Sequence, residues 1–457
     1  MSIVSNIKLF KKKFKKLLFT TPSHLQGHFV TPEAKKFFGE KIFDVDFSEF
    51  DGMDNLSCPN GCILETMQKI SEIYDSGMTY LLTNGSTSGI LALMNACLSA
   101  GDKVIINRNC HKSVYNGLVL TGAFPIWTDV EIDEEWDFIK PISPEQIEQA
   151  IISNAGVKAV IITNPTYEGM LVDVAEISRI CARYNVILIV DEAHGALWNF
   201  NENLPYPAVK SGADASVQSL HKTAGALTPC ALLHLSKTSK ISCDKVQEAL
   251  NLINTTSPSY PLMANIELTV NYLASKQGRR KLKELFELVS NFRKKIMEAD
   301  NIRVYCFKND FTKLFIQIEG LSGIALSEIL YNKYKIEVEM ANEFSILCLT
   351  GIGTSEKNLE KLAKALIKIS KNVEKLAQPP SFPTSLLYSK PEIACTPRQA
   401  YYAKSIELNI NDAVGKVAQA FYCEYPPGIP ILVGGEIIQP QHVEYLKQHY
   451  DKIKVLI

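Results

Sequence analysis

The sequence predicts an α/β protein whose main unit is a largely parallel sheet, and three observations predict it. Short β-branched runs recur at 104–106, 160–162 and 186–190, each ending in polar residues. Amphipathic helical stretches, such as 144–152 and 174–184, separate them. The runs are apolar without alternation, as strands buried on both faces are, and this marks a parallel sheet covered by helices. Such sheets take ligands in the crevice at the carboxyl ends of their strands, so the residues just after each run carry the chemistry.

The other elements follow in chain order. Residues 9–19 interleave lysines with Phe10, Phe14, Leu17 and Leu18 at helical spacing, a basic amphipathic helix expected to lay its apolar stripe on its own protein rather than on a membrane. Residues 1–60 form an N-terminal segment, and the large α/β unit is expected over 61–290. A long helical region at 262–299 leads into a smaller α/β unit, 291–376, with strand-like runs at 303–307, 314–318 and 344–350. The segment 326–334 belongs to the same α/β pattern, and a lysine-rich helix at 355–376 closes the unit. The sequence AQPPSFP at 377–383 reads as a linker, and 384–457 as a C-terminal domain. At roughly 150 residues per domain, 457 residues agree with a chain of several units.

Composition excludes several classes. Hydrophobic residues make up 46% and charged residues 21%, so the chain buries a core and is not globally disordered. Lys+Arg 48 against Asp+Glu 49 gives a net charge of -1, which argues against a nucleic-acid partner. The apolar runs are too short to span a bilayer. The basic N-terminus is followed by no uninterrupted apolar stretch, so no secretory signal is expected. Eleven scattered cysteines then read as reduced thiols of a cytoplasmic protein. Cys58 and Cys62 have no second ligand pair at zinc spacing, and no metal is expected.

Four strand ends carry chemistry. TNGSTSG at 83–89 opens an apolar helix, and a Gly/Ser/Thr turn there offers free N–H groups, the hydroxyls of Ser86 and Thr87, and a positive dipole end. It reads either as a phosphate cradle or as a plain N-cap, and it lacks the lysine of a P-loop. Asp191, in DEAHG at 191–195, ends the run 186–190. A carboxylate buried there needs a cationic partner, unless it merely caps. Lys222, in QSLHKT at 218–223, follows a strand-like run at 213–218. Desolvation at the mouth of a sheet would lower its pKa from about 10.4 and make the amine nucleophilic; a surface lysine is the ordinary alternative. His111, in RNCHKS at 108–113, follows the run at 103–106, where it stands either as a ring-stacking imidazole or as a core histidine. Taken together, a cradle, a carboxylate and a lysine in this order suit pyridoxal phosphate: imine at the lysine, charge at the pyridine nitrogen, and an anchored phosphate.

With TNPTYEG at 163–169, TTSPSYPLMA at 255–264 and YPPGIP at 425–430 followed by Gly435-Glu436, these motifs run in order over nearly the whole chain. The sequence resembles the short form of the bacterial Orn/Lys/Arg decarboxylase family, pyridoxal-phosphate enzymes of the aspartate-aminotransferase fold (fold type I). The resemblance implies that Lys222 holds the cofactor, Asp191 pairs with the pyridinium nitrogen and His111 stacks on the ring. Ser86, Thr87, Ser219 and His221 would surround the phosphate or the lysine, and His194 would lie beside the cofactor. It further implies that Thr256 or Ser257 reaches a neighbouring subunit's phosphate, making a homodimer or higher homo-oligomer. His221 or the freed Lys222 would supply the proton that quenches the carbanion.

Some positions depart from the family pattern. PGHKGG reads Pro22-Ser23-His24-Leu25-Gln26-Gly27, the L-D-x-L-H segment ends in Ser57, and ALTQ ends in Pro229. The departures at Leu25 and Ser57 put substrate identity in question; His24, Asp54 and Glu436 are the substrate-facing candidates. The implied activity is decarboxylation of a basic L-amino acid, arginine in preference to lysine or ornithine, to carbon dioxide and an amine of polyamine metabolism. The alternatives are transamination or aldol cleavage with the same cofactor, or a non-catalytic relative that regulates a decarboxylase.

Overall fold

The structure is a computed structural model that describes residues 1–13, 19–49, 52–373, 392–423 and 428–457. Seven strands form the main sheet: β1 (Met78–Leu82), β2 (Lys103–Ile106), β3 (Phe124–Trp127), β4 (Val157–Thr163), β5 (Ile187–Asp191), β6 (Ala215–Ser219) and β7 (Ala231–Leu235). Their spatial order is β1-β7-β6-β5-β4-β2-β3. The run from β6 to β3 is parallel, and β7 lies antiparallel between β6 and β1. The absence of alternation has a direct cause. Along β5, Ile187 and Ile189 enter the core on one face, while Leu188 and Val190 enter the core on the other. Both faces are dry, so every position is apolar.

Register then decides what meets at the carboxyl edge. Thr163 at the end of β4 pairs with Asp191 at the end of β5, and β6 alongside ends at Ser219. The helix Gly85–Cys97 packs on this sheet through Gly89. A Cβ there would lie 2.7 Å from Leu82 Cδ1 and 2.8 Å from Val217 Cγ1, so only glycine lets the helix lie this close.

The N-terminal helix is Ile3–Lys13, starting earlier than the expected 9–19; Phe14–Leu18 fall outside the described residues. Ile3, Ile7 and Phe10 extend the stripe at helical spacing, and all three are buried. Phe10 meets Phe47 edge to face at 5.4 Å, so the stripe packs on its own protein. The helix Lys276–Ile296 runs through residue 290, so the expected boundary there falls inside a helix. Beyond it, Ile302–Val304, Lys313–Ile318, Met340–Ala341 and Ile346–Leu349 make a four-stranded antiparallel sheet. The helix Glu356–Ser370 closes this unit. The expected linker at 377–383 lies outside the described residues. The C-terminal unit pairs Ser405–Asn409 with Lys452–Leu456, and Tyr422–Cys423 with Pro430–Leu432, around its own apolar cluster. Among the described residues, no helix is long and apolar enough to cross a membrane.

Gly89→Ala is expected to lower stability by about 1–3 kcal/mol through overpacking between helix and sheet. Chemical denaturation checks it: the midpoint should fall while the slope stays the same.

Candidate active site

The strand ends of β4, β5 and β6 open into one cavity of about 290 Å³. Ser86, Thr87, His111, Asp191, His194, Ser219, His221 and Lys222, eight of the residues expected from sequence, line it. The helix Gly85–Cys97 points its first turn here. Its N-cap, Asn84, makes no side-chain capping bond, so the first N–H groups are left to the cavity. Ser219 Oγ donates to Ser86 Oγ at 2.9 Å, joining the two hydroxyls beside that turn. Asn109 Oδ1, in a residue that also lines the cavity, is buried with no hydrogen-bond partner among the described residues.

Asp191 is buried, and its Oδ1 accepts from the Ala193 N–H at 3.1 Å. The neighbouring Glu192 points the other way. Its oxygens take bonds from the Ala208 N–H at 2.7 Å and from Gln218 Nε2 at 2.6 Å. Burial pushes this carboxyl up to about 8, away from the cavity. The chain alternates sides at the end of β5, so two adjacent acids have different uses.

His111 is the N-cap of the helix Lys112–Thr121: its Nδ1 accepts from the Ser113 N–H at 3.2 Å. Burial lowers its pKa, and the Asp191 carboxylate opposes the shift. The helical turn Leu220–Thr223 carries His221 and Lys222 directly after β6. His221 Nδ1 lies 3.2 Å from the Cys230 carbonyl oxygen. Burial lowers the Lys222 amine, while Asp191 and then Glu339 pull it back up. Lys222 Nζ is 3.1 Å from His194 Nε2. The small unit braces this turn, since the Ile352 N–H donates to the Thr223 carbonyl at 3.0 Å.

Five expected residues are placed elsewhere. Asp54 is buried as a cap. Its two oxygens accept from the N–H groups of Asn55, Asn60, Gly61, Ile63 and Leu64 at 2.8–3.4 Å, around the start of the helix Cys62–Tyr74. That corrects the expectation of a substrate-facing acid, because the carboxylate is saturated by backbone. Glu436 is corrected likewise. It pairs with Arg108 at 2.5 Å and 3.0 Å and accepts from the Val433 N–H at 2.8 Å, all of it buried. His24 stands 3.1 Å from Asp46 Oδ2 in the N-terminal segment, outside the cavity lining. Thr256 and Ser257 are exposed, in the loop before the helix Tyr260–Ala274, and they do not line the cavity of their own chain.

Sequence reasoning missed three residues. Tyr167 lines the cavity, its ring edge-on to His194 at 5.2 Å, and it donates from its hydroxyl to Glu339. Lys313, from the small sheet, places Nζ 2.7 Å from His194 Nδ1. The TNPTYEG motif was the available signal for Tyr167. Nothing local signalled Lys313 or Glu339.

The family described as Orn/Lys/Arg decarboxylase, major domain, matches residues 8–315, and its C-terminal domain matches 382–455. The chain belongs to the Orn/Lys/Arg decarboxylase family. It is an enzyme, a decarboxylase of basic amino acids. Among relatives, it is 32% identical over 446 residues to the arginine decarboxylase of Bacillus subtilis, covering 95% of this chain and 90% of that one. Lysine decarboxylase A from Pseudomonas aeruginosa superposes with a TM-score of 0.87 at 18% identity, over 100% of this chain and 80% of that one. The constitutive lysine decarboxylase of Escherichia coli superposes at 0.82 and 19%, over 100% and 82%. These likenesses establish the aspartate-aminotransferase-like fold.

Removing Glu436 leaves the Arg108 guanidinium buried without its carboxylate. Glu436→Ala should therefore cost about 3–5 kcal/mol of stability, read by denaturation, with the KM of the folded fraction unchanged. A large rise in KM at full stability would return Glu436 to the substrate.

Proposed function

We propose that this protein uses pyridoxal phosphate, held by Lys222, to decarboxylate arginine to carbon dioxide and an amine that feeds polyamine synthesis. The observation that carries this reading is the convergence of Lys222, Asp191 and the Ser86–Ser219 hydroxyl pair on one cavity at neighbouring strand ends. The residues fit the cofactor. An uncapped helix turn flanked by hydroxyls suits a phosphate. A buried aspartate suits a protonated pyridine nitrogen, and a lysine with a lowered pKa suits a carbonyl. Asn109 Oδ1, buried without a partner among the described residues, suits a ligand donor.

When bound, pyridoxal phosphate supplies an electron sink for the pair released as carbon dioxide leaves. The chain supplies the rest. Ser86, Thr87 and Ser219 hold the phosphate. Asp191 keeps positive charge at the pyridine nitrogen. His111 covers the ring, its orientation locked by the bond from Ser113. His221 lies beside the lysine, its ring anchored on the Cys230 carbonyl. Burial of Lys222 favours its neutral, nucleophilic amine.

Arginine is preferred because the relative quoted from Bacillus subtilis is named an arginine decarboxylase. Thr256 and Ser257, exposed and away from their own cavity, serve the partner's phosphate in a homodimer. The eleven cysteines are free thiols, which supports a cytoplasmic setting.

Lys222→Ala should abolish borohydride-trappable cofactor and nearly all activity; covalent trapping that persists would move the assignment to another lysine. A panel of arginine, lysine, ornithine, glutamate and aromatic amino acids at saturating cofactor should release carbon dioxide fastest from arginine. Release from glutamate or tyrosine alone would overturn the substrate class.

Asp191→Asn removes the charge that keeps the ring nitrogen protonated. We expect kcat to fall by about 4–6 kcal/mol in barrier terms, while the cofactor remains trappable on Lys222. Wild-type turnover in that variant would exclude this role for Asp191.

A further inference from the structure

Lys313 opens the strand Lys313–Ile318, yet it is 0% exposed. Its Nζ lies 2.7 Å from His194 Nδ1 and donates to the Tyr167 carbonyl at 3.1 Å. On the far side of the same ring, Nε2 is 3.1 Å from Lys222 Nζ. Two amines are thus joined through one imidazole, from the interior to the cavity. A buried ammonium is costly without a carboxylate, and this one meets a ring and a carbonyl instead. The fold makes room for it deliberately. Gly169 has φ +104, and a Cβ there would lie 2.5 Å from Lys313 Cγ, so only glycine at the end of TNPTYEG admits the lysine stem.

With the ring neutral, the hydrogen-bond inventory leaves two arrangements when the chain holds one extra proton. An ammonium only donates, and a neutral imidazole has one donor and one acceptor. With Lys313 charged, it donates to Nδ1; Nε2 then carries the ring hydrogen and donates to a neutral Lys222. With Lys222 charged, it donates to Nε2, and the hydrogen on Nδ1 is donated to a neutral Lys313. One proton passing along the chain interconverts them. The Lys313 N–H bond breaks as the Nδ1–H bond forms, and the Nε2–H bond breaks as a Lys222 N–H bond forms. The ring is neutral at both ends of the step. Burial pushes Lys313 down to about 7 and lowers Lys222 too, so neither amine holds its proton as firmly as an exposed lysine. Burial, then Lys222 and Lys313, hold the His194 ring well below its ordinary value, so a stable imidazolium between them is disfavoured. The charged groups facing Lys313 are Asp310, Lys222, Glu339 and Glu168; His221 and His111 also face His194.

We propose that Lys313, His194 and Lys222 form a proton relay that carries a proton from the interior lysine to the cavity lysine. The proposal rests on the decarboxylase reading, in which a hydrogen replaces the departing carboxylate and each turnover consumes one proton. While Lys222 is a free amine, a proton from water reaching the cavity recharges Lys313 through Lys222 and the same ring. Lys313 is a positioning residue in this scheme, acting on the reacting atoms only through His194 and Lys222.

The test uses the full-length, cofactor-loaded enzyme and its Lys313→Met, Lys313→Arg and His194→Gln variants. Each should lose about 10²-fold in kcat, with KM for the basic amino acid little changed. Arginine preserves charge and donors but does not give up its proton, so Lys313→Arg should fail to restore the rate. Nitrogen-15 spectra of histidine-labelled full-length protein stripped of cofactor, in which Lys222 is a free amine, give a readout independent of turnover. The His194 ring, assigned by its loss in His194→Gln, should show an accepting Nδ1 and a protonated Nε2 while Lys313 is charged. Lys313→Met should change that tautomer. Wild-type kcat in Lys313→Arg, or an unchanged His194 tautomer in Lys313→Met, would overturn the relay. If the Lys313 variants do not fold, His194→Gln cuts the same chain from the cavity side, and normal kcat there overturns it equally. A wild-type enzyme that releases no carbon dioxide from any basic amino acid would defeat the proposed function instead, and the nitrogen-15 readout would still judge the relay.

Discussion

The site depends on a sheet buried on both faces whose parallel strands end nearly in step. Thr163 pairs with Asp191 at the end of β4 and β5, and β6 ends beside them at Ser219. Because both faces are packed, a slip of one residue in β5 would exchange Ile187 and Ile189 with Leu188 and Val190 and turn Asp191 away. The register is therefore held by the two cores together, and the chemistry inherits it. The opposite uses of Asp191 and Glu192 are the clearest sign: one acid faces the cavity, while the other is locked to Gln218 and the Ala208 N–H.

A second constraint comes from outside the main sheet. Arg108 opens the segment that ends in His111, and its guanidinium is gripped by Glu436 and by the Ile431 carbonyl of the C-terminal unit at 2.8 Å. It also lies over the Trp127 ring at 5.4 Å. The Gly428 carbonyl accepts from the Lys112 N–H at 3.0 Å, and Ile429 lines the cavity. The C-terminal unit is thus part of the wall that sets His111. The small unit is coupled in the same way, through Glu339 on Tyr167, Lys313 on His194, and the 351–352 turn on Thr223. Three units meet at one cavity, each through buried polar contacts that lose their partners if the units separate.

Legibility in the sequence followed the range of the physics. Residues at strand ends within the main sheet, such as Asp191 and Lys222, were readable because strand, turn and reactive group lie within a few consecutive positions. Asp54 and Glu436 were misread because a charge in a motif looks the same whether it faces a substrate or caps a helix. Only the five N–H groups around Asp54 and the guanidinium on Glu436 distinguish these cases. The N-terminal helix begins ahead of the lysine-patterned stretch because Ile3 and Ile7 continue its apolar stripe.

The sequence by itself determined the parallel architecture, the family, and the order of Ser/Thr turn, histidine, aspartate and lysine along the chain, since each rests on local spacing and side-chain chemistry. Tertiary structure alone decided which charges meet. Lys313 reads in sequence as an ordinary lysine at the start of an apolar strand, 91 residues from Lys222. Packing of the small sheet against the 167–169 segment, through the space Gly169 leaves, brings it to the ring that Lys222 also touches. Pairing at that distance along the chain is set by how the two sheets dock, and no local pattern encodes it.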